Sequence, residues 1–580
     1  MTKPLSIRTA VTVAEATAID AVVKQAEVII RSDRVVRGGL SRIKESRSFL
    51  LPALHALQRE SGWISPAGVW YISELLQVSE AEIYGVATFY DLFRTDGPIA
   101  SDYLAHVCVD PLCSVAGSEE LLADFKKQGQ ESERSACLGL CSNAPAVFFQ
   151  GKQCPDYSTG NGDSDSSLRT ISKGDGLLKR VGRIDPNSLS SYKNSGGYEA
   201  LSIAIQMGPQ AVINAVTESG LTGRGGAGFP TGAKWAAVAA ESVDVKYIVA
   251  NADESEPGTF KDRVIMESDP FALIEAMTIA GVTVGAKIGW IYIRAEYPLA
   301  IQRVSTALDK ARRANLLGNK VLHSDYSFDI EVRKGAGAYI CGEETALFSS
   351  IEGYRGEPRS KPPYPTTSGL FGRPTVVNNP ETLMNVLGIL TMGVLKYKNQ
   401  GTPKSPGTKL YCVSGDVHEP GLYEADFGIK INELINLAGG SRTTTQAVLL
   451  GGAAGSLIAP EHFNLPLSTE AAQAHGVSLG SGAVMVLGEE VNILDVIIRV
   501  AEFFKNESCG QCVPCRIGTM RQHEQLLQIK RTTSAEKPNI ELLTDIGNAM
   551  SDASICGLGH TASTAVQSAI SSGLLWGSND

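Results

Sequence analysis

"GRGGAGFPTGAKW", Gly223 to Trp235, carries the pattern G-x-G-x-x-G at Gly223, Gly225 and Gly228. An ordinary dinucleotide fingerprint needs a strand before such a run and a helix after it. Here the preceding "PQAVINAVTESG" has helical spacing, so the ordinary fingerprint is rejected. What survives is the physics of small residues, which let a phosphate or a flat ring approach the backbone closely. Arg224 and Lys234 add positive charge to the same stretch.

Working outward, "VKYIVANADESEPGTFKDR" reads as a strand ending at Asn251, followed by a loop with Asp253, Glu254 and Glu256. Ligands of α/β sheets sit at such strand ends. A solvated acidic loop is the bland alternative. No histidine joins the loop, so carboxylates that accept hydrogen bonds from ribityl or ribose hydroxyls fit better than a metal site. "GAGAYICGEETAL", Gly335 to Leu347, is a second glycine loop, opening a helix at Glu343 and Glu344.

Between about 200 and 400, helical stretches alternate with β-rich runs such as "VKYIVAN" and "GWIYIR", which predicts an α/β domain. Residues 408–490 are strand-rich, with "KLYCVSG", "AVLLGG" and "GAVMVLG" around one helix, "KINELINLAG". From 491 the period is helical, with Ile497, Ile498, Ala501 and Phe504 apolar. Four helices are expected there, near 492–505, 516–530, 539–552 and 562–571. Residues 45–93 also read as helices. Ser65 caps one with Pro66 at its first position, and Ser79 with Glu82 forms a capping box. Residues 158–175, rich in Ser, Gly and Asp, read as a linker or mobile loop. The expected division is 1–100 helical, 101–157 a cysteine domain, 158–200 linker, 201–407 α/β, 408–490 small α+β and 491–580 helical.

A chain of 580 residues exceeds one core, and its net charge of -10 disfavours nucleic acid or anionic membrane as the main partner. The first twenty residues lack the apolar core of a signal peptide. The apolar stretch Ala272 to Ile293 contains Glu275 and Lys287, and reads as a buried helix followed by a strand rather than a membrane span. A soluble, cytoplasmic protein is expected, in which eleven cysteines suggest metal or redox chemistry more than disulfides.

Cys509, Cys512 and Cys515 form C-x2-C-x2-C, the ferredoxin-type run. Cys556, with 40 residues between it and Cys515, is the candidate fourth ligand: on the helix count, two loops at one end of a bundle would bring it near. A [4Fe–4S] cluster is the favoured occupant, with zinc and inert thiols as alternatives. Cys108 and Cys113, then Cys137 and Cys141, give two pairs suited to a [2Fe–2S] rhomb, or less well to zinc. Cys154, Cys341 and Cys412 are assigned no role.

These residues together are specific. From about 200 to 580 the chain resembles the flavin-carrying, NADH-binding subunit of respiratory complex I. From about 40 to 150 it resembles the small [2Fe–2S] subunit that partners it, on "LLPALHALQ", "YGVATFY" and "CLGLC". The two are fused, as in diaphorase subunits of NAD-reducing soluble [NiFe]-hydrogenases and of NAD-dependent formate dehydrogenases. The resemblance implies a multidomain α/β fold. Its parts would be a helical bundle with a thioredoxin-like [2Fe–2S] domain, a Rossmann-like FMN domain, a ubiquitin-like β-grasp module and a C-terminal helical bundle with the [4Fe–4S] cluster. It implies FMN held by Gly223, Arg224, Gly225, Gly226 and Lys234, with contacts from Asn251, Asp253, Tyr339, Gly342, Glu343, Asn378 and Asn379. It implies NAD(H) contacted by Glu256, Glu344 and Lys361, with Phe229 stacked on the nicotinamide side, so that Glu256, Phe229 and Glu344 line the reacting rings. Electrons would pass between NAD(H) and FMN as hydride. They would then pass singly through the clusters to an iron–sulfur subunit and a catalytic hydrogenase or formate dehydrogenase subunit of a hetero-oligomer. The stretch "GTKLYCVSGDVHEPGLYEADFG" inclines the resemblance to the hydrogenases.

There are departures from the family pattern. Ala236 and Ala237 follow "KW" where an aromatic is usual, and Tyr364 replaces phenylalanine in "KPPYP". Only 23 residues separate Cys113 from Cys137. "GVSLG", Gly476 to Gly480, matches a serine-hydrolase elbow, but a β-type run follows where a helix is needed, so the match is read as chance. A non-catalytic relay scaffold with a degenerate flavin site is the other class of function. Lys234, Asp253, Glu256, Glu344 and Lys361 argue against it.

Overall fold

The computed structural model describes residues 10–33, 46–101, 103–151, 157–160, 168–531 and 539–576. Strands β1 (Leu104–Cys108), β2 (Ser132–Ser135), β3 (Ala146–Gln150) and β4 (Tyr157–Gly160) form one mixed sheet, in the order β2-β1-β3-β4. Helices Leu50–Ser61, Pro66–Leu76 and Glu80–Ala87 precede it, and the expected Ser65 and Ser79 caps are made.

β5 (Arg169–Ile171) lies inside the stretch expected to be a linker. It pairs in parallel with β11 (Gly421–Asp426), about 250 residues later in the chain. Ile171 packs against the small core there, so one apolar position among Ser, Gly and Asp suffices to seat a sheet-edge strand. β4 occupies the other end of that stretch.

The central sheet is fully parallel: β6 (Tyr247–Ala252), β7 (Ile288–Ile293), β8 (Asp329–Lys334) and β9 (Thr375–Asn378), in the order β8-β7-β6-β9. β6 and β7 are almost wholly buried, as expected for a sheet covered by helices on both faces. Helix Pro270–Val284 is buried at every position, which explains the span-like hydropathy of the sequence there. Among the described residues no helix is long and apolar enough to cross a membrane. The glycine run follows helix Pro209–Glu218 and precedes helix Thr231–Ala240, so the rejected strand–turn–helix fingerprint is indeed missing at that place.

A third, mixed sheet has the order β13-β12-β14-β10-β11-β5. It contains β10 (Thr408–Gly415), β12 (Thr445–Leu450), β13 (Ser456–Ile458) and β14 (Ala483–Gly488), with helix Ile431–Leu437 over its own apolar core. The C-terminal region packs helices Ile493–Glu507, Val513–Arg531, Ile540–Ala553 and Thr564–Ser571. The second begins earlier than the expected residue 516, because Pro514 is tolerated in a first helical turn. It therefore takes Cys515 into the helix.

Candidate functional site

The expected cleft residues converge at the carboxyl ends of the parallel strands. The glycine loop is closed by Gly223 N–H donating to Phe229 O at 2.9 Å and Thr231 N–H to Leu221 O at 2.9 Å. Gly226 and Gly228 take φ of +124° and +63°, and a Cβ on Gly225 would press on Asn379 at 3.0 Å. The loop thus presents bare backbone. Phe229, 54% exposed, stands at its lip, with Lys234 Nζ 5.7 Å from its ring centre.

Lys234 Nζ donates to Val377 O at 2.9 Å and lies 3.8 Å from Glu344. Lys361 Nζ reaches Glu343 at 3.1 Å and Glu344 at 2.6 Å. Glu343 also caps helix Glu344–Ile351, accepting from the Thr345 and Ala346 amides. Asn251 Nδ2 donates to Gly342 O at 2.7 Å and orients the second glycine turn against β6. Beside it, Asp253 Oδ2 is buried with no partner, and burial pushes this carboxyl up to about 7 against the pull of Arg294. Glu256 accepts from Tyr339 OH at 2.7 Å and from Ala454 N–H at 2.9 Å.

Three of the expected ligands are reassigned in part. The Arg224 side chain does not point into the loop: it is 1% exposed, so its charge acts from beneath and not by contact. Its guanidinium donates to Thr222, Tyr397 OH and Pro406 O and lies 4.5 Å from the Phe427 ring centre. An arginine surrounded by glycines looks exposed in sequence; apart from Thr222, its partners come from residues 397–427, far along the chain. Asn378 Oδ1 accepts from Trp235 Nε1. Asn379 caps helix Pro380–Met392 while exchanging hydrogen bonds with Lys261 and Asp262. At these three positions the side chain is spent on protein partners, and the Arg224 N–H in turn donates to Thr382 Oγ1 at 2.8 Å.

The first cysteine set is closed. Cys108 ends β1, Cys113 lies in helix Pro111–Val115, and Cys137 and Cys141 flank the turn before β3. All four are free thiols and buried, with Cys137 and Cys141 sulfurs 3.6 Å apart. Arg294 donates to Cys137 O, Arg263 Nε to Gly139 O at 3.1 Å, and Gly139 has no room for a Cβ beside Tyr297. The second set is open. Cys509, Cys512, Cys515 and Cys556 line one small cavity with Ser508, Ile340 and Leu558, and of the four only Cys515 is buried. Burial pushes the Cys515 thiol up to about 12 and Cys556 up to about 11, which a bound cationic centre would reverse. Among the described residues no three or more His, Cys, Asp or Glu side chains stand at single-ion spacing. Thiolates around a cluster are held farther apart by its sulfides. The donor chemistry of both sets, four free thiols each, fits iron–sulfur clusters. The glycine cradle and the orphan Asp253 oxygen fit a phosphate and a polyol hydroxyl. Cys341 and Cys412 are buried outside both sets, and Cys154 lies outside the described residues.

Sequence reasoning missed the "GGAAG" turn, Gly451 to Gly455, whose Ala454 holds Glu256. The glycine run was visible, but it reads as the end of a strand. It also missed Glu507, which accepts from Tyr339 N–H at 2.8 Å just before the cysteine run.

The family described as "Nuo51 FMN-binding domain" matches residues 216–388. "NADH-ubiquinone oxidoreductase-F iron-sulfur binding region" matches 495–572 and "Thioredoxin-like [2Fe-2S] ferredoxin" matches 37–162. Over 390 residues the chain is 42% identical to NADP-reducing hydrogenase subunit HndC of Solidesulfovibrio fructosivorans, covering 66% of this chain and 78% of that one. Over 387 residues it is 42% identical to an NADH-quinone oxidoreductase subunit of Aquifex aeolicus (strain VF5), covering 67% and 89%. A solved NAD+-reducing [NiFe]-hydrogenase in the H2-reduced state superposes with a TM-score of 0.79 at 31% identity, covering 90% of this chain and 91% of that one.

Proposed function

The chain belongs to the family of FMN- and iron–sulfur-containing NADH-oxidoreductase subunits, and from that premise we propose that it is the diaphorase subunit of an NAD-reducing [NiFe]-hydrogenase. The observation that carries the reading is one cleft that gathers a bare glycine cradle, the orphan Asp253 oxygen and the Lys361–Glu343–Glu344 cluster. FMN, when bound, supplies the exchange between two-electron hydride transfer and one-electron transfer.

The rest falls to the chain's own residues. Gly223, Gly225 and Gly226 seat the FMN phosphate side, with Lys234 and the buried Arg224 guanidinium as the nearby cations. Asp253 accepts from a polyol hydroxyl, and Asn251, Gly342, Asn378 and Asn379 fix the walls around it. Phe229, Glu256, Glu344 and Lys361 face the dinucleotide, Tyr339 and Glu343 border the FMN, and an acidic Glu256 near a ribose would disfavour a 2′-phosphate. No residue need move a proton for hydride transfer itself.

Cys509, Cys512, Cys515 and Cys556 hold the [4Fe–4S] cluster at the exit. Cys108, Cys113, Cys137 and Cys141 hold the [2Fe–2S] cluster as a side store for one electron. The parallel order β8-β7-β6-β9 supports a Rossmann-like reading of residues 201–407, and the sheet of β10 to β14 with helices Ile431–Leu437 and Thr469–Ala474 supports a β-grasp reading of 408–490. Residues 1–100, 101–157 and 491–580 complete the proposed division, with 158–200 carrying β5 and helix Leu189–Asn194 in place of a plain linker. An iron–sulfur electron-transfer subunit and a hydrogenase catalytic subunit are the proposed cytoplasmic partners. The likeness to the NAD+-reducing hydrogenase over 90% of the chain supports them over a formate dehydrogenase.

Anaerobic titration of the cofactor-loaded chain with NADH tests the reading. Flavin bleaching followed by loss of the broad iron–sulfur absorbance is expected. Loaded chain that NADH leaves unbleached would be a relay scaffold.

A further inference from the structure

The sheet built on β10 lies beyond residues 216–388, which match the FMN-binding family. Two of its turns nevertheless reach the cleft. A Cβ on Gly226 of the cradle would stand 3.9 Å from the Gly480 backbone. The turn after β12 comes closer still. Gly451 and Gly452 have φ of +93° and +86°, which side-chain-bearing residues rarely adopt. A Cβ on Gly452 would stand 2.5 Å from Glu256 Oε1 and 2.8 Å from Pro257 O. Ala454 N–H donates to Glu256 Oε1 at 2.9 Å. Tyr339 OH holds the other oxygen at 2.7 Å.

Successive N–H groups in a glycine-rich turn form a concavity for an anion. Here a carboxylate from a different domain fills it. A partly buried carboxylate that loses one of two donors is left unsatisfied or rotates, and either moves a charge at the cleft.

We propose that the Gly451–Gly455 turn is a positioning element for Glu256, so that the small domain sets how tightly the cleft takes a nicotinamide dinucleotide. This rests on the reading of the cleft as the dinucleotide site.

The test uses the full cofactor-loaded chain and four variants: Gly452→Ala, Gly440→Ala, Glu256→Gln and the double Gly452→Ala/Glu256→Gln. Gly440 has φ +81° with nothing within 4 Å of its Cβ, so it imposes the same backbone strain without touching Glu256. Gly452→Ala should raise the KM for NADH roughly tenfold, as expected for a charged group losing a hydrogen bond, with kcat within about twofold. FMN content should hold, and Gly440→Ala should leave KM unchanged. In the Glu256→Gln background Gly452→Ala should add nothing further. An unchanged KM in Gly452→Ala, or an equal rise in both backgrounds, overturns the proposal.

If Gly452→Ala does not fold, amide hydrogen exchange at Ala454 carries the test. NAD+ should slow that exchange in the wild type and not in Glu256→Ala. Exchange that NAD+ slows equally in both overturns it. A wild type that NADH fails to bleach sinks the reading of the cleft. A bleached wild type with additive variants sinks this inference alone.

Discussion

The two cysteine quartets share a donor set and differ in everything around it. Cys108, Cys113, Cys137 and Cys141 are 1–7% exposed and lie against Arg294, Arg263 and Tyr297 of the central domain. Cys509, Cys512 and Cys556 are partly open, and their neighbours Val513, Ile517 and Ile555 are 59%, 40% and 39% exposed. A closed set suits a centre whose charge is tuned from inside the protein. An open set suits a centre that must hand an electron to something outside.

The comparison breaks most sharply by removing one thiol from each quartet. Cys556→Ala should release about four irons per chain and Cys141→Ala about two, each leaving the other cluster's electron paramagnetic resonance signal in place. Cys556→Ala should also abolish electron transfer beyond the flavin, whereas Cys141→Ala should leave it running. Loss of transfer in Cys141→Ala would put the closed set on the main path instead of beside it.

A smaller effect is expected at the clamp over the closed set. Arg294 donates to Glu254 O at 2.7 Å and to Cys137 O, and pairs with buried Glu296 at 2.6 Å. Arg294→Gln strands that carboxylate, a change that costs about 3–5 kcal/mol in buried pairs. Iron content of the two-iron set should fall with the apparent Tm, and the four-iron set should be spared. Equal loss from both would mean that the clamp serves the whole fold.

How much of this the sequence discloses follows from how local each signal is. The Ser65 and Ser79 caps and the buried helix Pro270–Val284 rest on near neighbours and are where spacing puts them; the C-x2-C-x2-C run is equally local, but its helix starts early enough to take in Cys515. The fate of the Arg224 side chain depends on Tyr397 and Pro406, and the grip on Glu256 on Ala454. Each pairing spans well over a hundred residues and leaves no periodicity in the chain. β5 is the same case: three residues of a polar stretch become a strand only because β11 offers an edge. Local pattern located the cleft, and tertiary contact decided which atoms remain free in it.

The cleft also responds to pH. Burial pushes the Glu256 carboxyl up to about 7 from its ordinary 4.5. A raised acid binds its proton more tightly when folded, so it costs nothing below the unfolded value. It destabilises increasingly as pH rises through 4.5 toward 7, and the cost is complete above that. Glu256→Gln should therefore raise the apparent Tm relative to wild type more at pH 8 than at pH 5.5. The gain should be about 1–2 °C in a chain of this size. A gain independent of pH would show that the carboxylate ionises normally in place.

The smallest effect tests the openness of the second quartet itself. Val513 sits between Cys512 and Pro514 at the start of a helix, 59% exposed. An exposed apolar side chain gives up little on replacement, so Val513→Ser should shift the isolated chain's stability by less than about 0.5 kcal/mol. Leu138, 1% exposed beside Cys137, is its buried counterpart. Leu138→Ser removes a core side chain and buries a hydroxyl, so its cost should reach about 2–5 kcal/mol. If thermal denaturation of the isolated chain gave both substitutions the same cost, Val513 would be covered in solution. The asymmetry between a closed quartet and an open one would then be lost. A wide gap between the two leaves a dehydrated centre and a solvent-facing one on the same chain.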